Sequence, residues 1–186
     1  MTWEGTTVRR IRRAAVAIAV IVLGATGCGK SDTGTETTTT PVPAPPRPKG
    51  TGPFTKEFVR TDLEGSAANA GVPANDHEYA RPFEEAPAGS PPSCAVAFRG
   101  IGDKKAPLDF EDFKAVVGEL RERDWQQSGG LRERENLDGV IGDAVASLKQ
   151  RGWSVTAQYG IAVDGETSAI TLTAYDQACM KRTGAG

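Results

Sequence analysis

From Phe54 onward, apolar residues recur first at helical and then at alternating spacing. Thr55 opens a stretch in which Phe58, Val59 and Leu63 share one helical face, ending near Gly71-Val72-Pro73. A polar, proline-dotted segment, 74–93, reads as a loop. Cys94-Ala95-Val96-Ala97-Phe98 reads as a short apolar strand stopped by Gly100. Asp109 begins the clearest helix, with Phe110, Phe113, Val117 and Leu120 on one face and Asp112 three residues after the cap. Ser128-Gly129-Gly130 ends that stretch. Val140, Ile141, Ala144, Val145 and Leu148 then fit a further amphipathic helix that stops at Gly152.

The last third carries the strongest pattern. Asp164-Gly165 is a preferred two-residue hairpin turn. If Val163 faces Glu166, then Tyr159 faces Ile170, Ala157 faces Leu172 and Val155 faces Ala174. In that register Gln158, Thr156 and Ser154 face Thr171, Thr173 and Tyr175, so apolar meets apolar and polar meets polar. A slip by one residue destroys the match. The expected fold is therefore α+β: one small domain, 54–182, with a three-stranded antiparallel sheet packed against about three helices. Residues 183–186 read as a disordered tail.

Upstream of the domain the pattern changes character. Arg9, Arg10, Arg12 and Arg13 precede ten unbroken apolar residues, Ala14 to Leu23. At about 1.5 Å per residue this run covers roughly half of a ~30 Å hydrocarbon core, too short for a comfortable span. A basic start, a short apolar run and small residues make an export signal. An ordinary secretory signal or an uncleaved anchor would share those features; the place of the following cysteine favours neither. Gly24-Ala25-Thr26-Gly27-Cys28 resembles a bacterial lipobox, the processing site of bacterial lipoproteins. The resemblance covers residues 1–28 alone. It implies diacylglyceryl transfer to the Cys28 thiol and cleavage after Gly27. The mature chain would then start at Cys28 and sit anchored on the extracytoplasmic face of the cell membrane. Two or three acyl chains, at about 0.8 kcal/mol per buried methylene, hold stably where one does not.

Residues 28–53 read as the lipidated cysteine followed by a tether. Positions 29–53 hold seven Thr and six Pro but a single sizeable aliphatic residue, Val42. Such a stretch buries too little apolar surface to offset its ordering entropy, and its prolines favour an extended spacer.

Charge and composition narrow the function. The 186 residues carry a net charge of −2; loss of residues 1–27 removes four arginines and one glutamate and makes it −5. That balance offers no general attraction to nucleic acid or to an anionic leaflet. After Cys28, an even pair remains, Cys94 and Cys179, and an oxidising compartment favours their disulfide. The pairing requires the hairpin's second strand to lie centrally, beside the strand that Cys94 opens.

Catalytic machinery is not visible. His77 is the single histidine, among Asp76 and Glu78 in a polar segment, and reads as a solvated side chain. Carboxylates cluster at Glu84-Glu85, at Asp109, Glu111 and Asp112, and at Glu133 and Glu135, all explicable as surface or capping charges. Arg121 to Arg134 alternate with acids and read as exposed helix surface. Trp125 and Trp153 read as core. No cofactor, metal ligand or catalytic residue is expected.

The candidate recognition surface is the polar sheet face, Thr156, Gln158, Thr171, Thr173 and Tyr175, against the plainer reading of a hydrated outer face. The leading expectation is a non-catalytic envelope module that binds a protein, glycan or small ligand. The rivals are an envelope-directed hydrolase using carboxylates such as Glu84 or Asp112, and an accessory subunit of an exported complex.

Overall fold

The computed structural model describes residues 46–163 and 165–184. The expected export signal, Cys28, the first part of the expected tether, Asp164 and the last two residues of the expected tail, 185–186, lie outside the described residues.

Helix α1, Lys56–Asn69, begins where expected: the Thr55 side chain accepts from the Phe58 N–H at 3.2 Å. Its buried face, Val59, Leu63 and Ala67, joins that of α3, Phe110–Glu122, which contributes Phe113, Val116, Val117 and Leu120. Asp109 and Asp112 close a reciprocal capping box at the start of α3. Both helices lie on one face of a single antiparallel sheet.

That sheet is larger than expected. Strands β1 (Ala95–Gly102), β2 (Gln126–Gln127), β3 (Arg132–Glu135), β4 (Ile141–Gln150), β5 (Trp153–Ile161) and β6 (Ser168–Asp176) give six strands, not three. Their spatial order is β1-β6-β5-β4, with β2 and β3 sharing the far edge of β4. Four α-helices are described, because α2 (His77–Glu84) and α4 (Gln177–Arg182) join α1 and α3. The class is α+β.

Three expectations need correction. The segment expected as a helix over Val140 to Leu148 is the strand β4. Its apolar spacing satisfies both periods, but Ala144, Ala146 and Leu148 are buried at intervals of two while Val145 and Ser147 face away. The segment 74–93 is not simply a loop: Asp76 caps α2 by accepting from the Glu78 N–H, and Pro91–Cys94 forms a 3-10 turn. Gly100 does not stop β1, which runs on to Gly102.

The hairpin register is the expected one throughout, from Ser154 opposite Tyr175 to Tyr159 opposite Ile170. The connection is longer than two residues. Ala162 N–H donates to the Thr167 oxygen and Gly165 N–H to the Ala162 oxygen, with Gly165 at φ 68°. The ladder itself ends at Ile161 opposite Ser168, in the register expected from the sequence.

Strand β6 lies between β1 and β5, and Cys94 is bonded to Cys179 with their Cα atoms 5.5 Å apart. Trp125 and Trp153 are both core residues, at 1% and 3% exposure. Trp153 Nε1 donates to the Phe54 oxygen and Trp125 Nε1 to Asp62, so neither indole N–H is buried unpaired.

The last residues of the expected tether pack on the domain. Arg47 donates to the fully buried Asp62 at 2.8 Å and lies over the rings of Phe54 and Phe58. Arg151 reaches the Gly52 and Pro48 carbonyls at 2.7 and 3.0 Å. The packed domain therefore extends back to Arg47, ahead of the expected start at Phe54.

Candidate functional site: the open face of the sheet

Partners in an antiparallel ladder point to the same face, so the register assigns every side chain. Ala146, Ala157, Leu172 and Phe98 form one row on the helix-covered face; Leu148, Val155, Ala174 and Val96 form the next. The opposite face carries Ser147, Thr156, Thr173 and Ala97 in one row. Beside it, Arg132, Val145, Gln158, Thr171 and Arg99 run straight across five strands. The expected surface residues Thr156, Gln158, Thr171, Thr173 and Tyr175 therefore do share one face.

On the β1–β6 side of this face Ala95, Ala97, Thr171 and Thr173 are buried, whereas the β4–β5 side is open. From α2, the Tyr79 ring lies under the Arg99 guanidinium at 4.3 Å; from α4, Gln177 Nε2 donates to Ser154 Oγ at 2.6 Å. Arg99 Nε also points to Thr171 Oγ1 at 3.5 Å, so the guanidinium is held between an aromatic ring and a hydroxyl. Thr171 and Thr173 are nearly covered by their neighbours, whereas Gln158 and Lys149 are exposed. Burial, and secondarily the nearby Tyr79, raises the Tyr175 hydroxyl above the usual phenol range, leaving it a neutral hydrogen-bond donor.

Two shallow depressions indent the face. One, of about 280 Å³, is floored by Gly160 and Ala169 and bordered by Arg99, Gln158 and Thr171. The other, of about 250 Å³, lies at the β3 side between Arg132, Glu133, Arg134, Asp143 and Val145. Small residues at Gly160 and Ala169 create the first by leaving the pleat bare.

Of the remaining candidates from the sequence, Glu84 and Asp112 make structural contacts. His77 is the first residue of α2 and exposed. Glu84 pairs with Arg60 at 3.5 Å, and Asp112 accepts from the Asp109 N–H at 2.9 Å. Lys56 bolts α1 to its neighbours, donating to the Phe83 and Ser93 carbonyls; burial and then Arg60 lower its pKa. Among the described residues no cluster of three or more His, Cys, Asp or Glu could hold a metal ion. Within those residues no helix is long and apolar enough to cross a membrane.

The sequence reading missed two features. The stretch Arg121 to Arg134 is not a uniform exposed helix surface: Arg123 is 3% exposed, and Arg132–Glu135 is a strand. It also gave no sign that Arg99 and Arg132 stand at the two ends of one row. Arg99 lies in β1, whose partner β6 is distant in sequence, so no local pattern could align it with Arg132. Comparison with known protein families, curated proteins and solved structures finds no match.

Proposed function

We propose that this chain is a lipid-anchored, non-catalytic binding module on the extracytoplasmic face of a bacterial cell membrane. The lipobox-like segment supports the anchor, through acyl chains on Cys28. The Cys94–Cys179 bond is consistent with an oxidising compartment. The observation that carries the binding reading is the polar face, open along β3, β4 and β5, on which hydroxyl, amide and guanidinium groups point away from α1 and α3. A rigid antiparallel sheet fixes their spacing, so a ligand meets an array that is already ordered. The ion pair of Glu84 and the helix-cap role of Asp112 support this reading over an envelope-directed hydrolase.

A specific observation favours a second reading, an accessory subunit. Leu137, Val140 and Val163 are exposed at the β3–β4 and β5–β6 turns. Those two turns border a common depression of about 400 Å³ at one end of the sheet. An apolar tip of this kind suits contact with a protein partner.

Mass spectrometry of membrane fractions tests the anchor: Cys28 should carry lipid, and Cys28→Ala should free the protein from the membrane. Retention of that variant in the membrane rejects lipid anchoring. For the face, a benzophenone side chain at Gln158 should give crosslinked adducts in intact cells, while one at Lys114 on α3 should not. Adducts from Lys114 alone would reject the sheet face as the binding surface. Adducts from position 137 or 163, with none from 158, would favour the accessory subunit.

A further inference from the structure

We infer that the open face binds an extended anionic glycan, a hydroxyl-rich chain bearing acidic groups, laid across the strands between Arg99 and Arg132. This rests on the binding-module reading and names the ligand class it would take. The row Arg132, Val145, Gln158, Thr171, Arg99 crosses five strands, so its two guanidinium groups are carried on strands four spacings apart, about 19 Å. Both depressions lie along this row, one at each arginine. A long, narrow ligand fits that layout better than a compact one.

The charge left without an ion-pair partner on this face has one sign among the described residues. Arg134 is offset by Asp143 at 3.6 Å. Arg99, Lys149 and Arg132 share the same face, and no described carboxylate lies within ion-pair distance of any of them. Three cationic groups are thus gathered on one surface of a chain whose net charge is −2. Between them the floor offers the Gln158 amide and the hydroxyls of Ser147 and Thr156 as donors and acceptors. Acidic groups at the ends and hydroxyls along the middle are the complement of that pattern. Arg99 is already oriented by Tyr79 and Thr171, which lowers the ordering cost of engaging an acidic group.

Other anions fit less well. Single-stranded nucleic acid needs exposed aromatic platforms for its bases, and of the described rings on this face Tyr79 is covered by Arg99 and Tyr175 is half-buried. An extended peptide would seek an unpaired strand edge or apolar pockets, whereas this surface is a paired and polar face.

Binding of the full-length lipidated chain in detergent to an oligogalacturonate, a phosphorylated dextran, neutral dextran of equal length and phosphatidylglycerol vesicles tests the inference. At least one acidic glycan should bind, weakening as salt rises, and neutral dextran should not. Arg132→Gln, on a fully solvated strand that leaves the fold undisturbed, should weaken binding about three-fold, and Arg99→Gln with Arg132→Gln about ten-fold. Glu119→Gln on the helical face should change nothing. Failure of both acidic glycans, binding indifferent to the arginine variants, or preference for the vesicles overturns the glycan assignment. Crosslinking from Gln158 in cells would still succeed if only the ligand class were wrong, and would fail if the face were no binding surface.

Discussion

Asp62 is fully buried in α1, and three groups converge on its carboxylate: Arg47 Nη1 at 2.8 Å, Trp125 Nε1 at 3.0 Å and Arg123 Nη1 at 3.6 Å. A carboxylate removed from water costs several kcal/mol unless it is compensated, and these groups supply the compensation. The buried Arg123 guanidinium makes no hydrogen bond and lies flat against α1, where a methyl on Gly65 would approach its Nη2 to 3.0 Å. Asp62 is therefore its counter-charge. Asp62→Ala should destabilise by about 3–5 kcal/mol in urea unfolding, because it strands a buried guanidinium. Arg47→Ala removes the shortest of the three contacts and should cost about 1–3 kcal/mol, less than Asp62→Ala because Trp125 and Arg123 still face the carboxylate. None of this was legible in the sequence, where Arg123 stands in Leu-Arg-Glu-Arg-Asp and reads as solvated charge. Asp103 shows a second role for a carboxylate. Its oxygen accepts from the Lys105 and Ala106 N–H groups, and those bonds, Ala106 first, lower its pKa. A depressed acid stabilises the fold above its unfolded value of about 3.9, and the gain vanishes as pH falls through the folded value. The Tm advantage of the native protein over Asp103→Ala should hold constant at neutral pH and close in that acid window.

At the scale of elements, the ends of the chain's regular segments were easier to read than their type. Thr55 and Asp109 cap helices because a short polar side chain there satisfies N–H groups that have no partner within the helix. The β5–β6 register could be read because two faces of opposite polarity fix it. β4 misled, since residues at 140, 141, 144, 145 and 148 satisfy a helical stripe, and the decision falls to Ala146 packing opposite Ala157. Strand β1 shows how tightly the layers meet. A Cβ on Gly100 would collide with Val72, and one on Gly102 with the Leu108 backbone N, neither of which can yield freely. Gly100→Ala and Gly102→Ala should each cost about 1–3 kcal/mol in thermal or urea unfolding, while Gly160→Ala, with open space above it, should cost far less. The Cys94–Cys179 bond ties the start of β1 to α4 across 85 residues of sequence. Reduction should lower stability by about 2–5 kcal/mol, measured as a shift in the urea midpoint with and without reductant.

For the whole molecule, the decisive question is what prevents so broad a sheet from extending into a neighbour. The outer edge of β1 is closed within the chain: Asn75 Oδ1 accepts from the Arg99 N–H at 2.9 Å, and the Asp76 N–H donates to the Arg99 oxygen at 2.8 Å. The opposite edge, β3, is exposed along Arg132-Glu133-Arg134-Glu135 and pairs only with β4 among the described strands. Two copies pairing edge to edge in antiparallel fashion are related by a two-fold axis perpendicular to the sheet. That axis keeps each face on its own side, so Arg132 must oppose an arginine of the second copy and Glu133 a glutamate. A parallel pairing in register gives the same result. Alternating charge on an edge therefore repels its own copy while leaving β3 free to pair with β4, which is how edge strands avoid aggregation. Sedimentation velocity should find the native domain monomeric, with association no stronger at high salt than screening allows. Replacing the charges with Arg132→Thr, Glu133→Val and Arg134→Thr should leave the fold intact and produce concentration-dependent dimers. A native protein that dimerises through β3, detected by crosslinking between copies at position 133, would show that the edge serves as an interface rather than a guard.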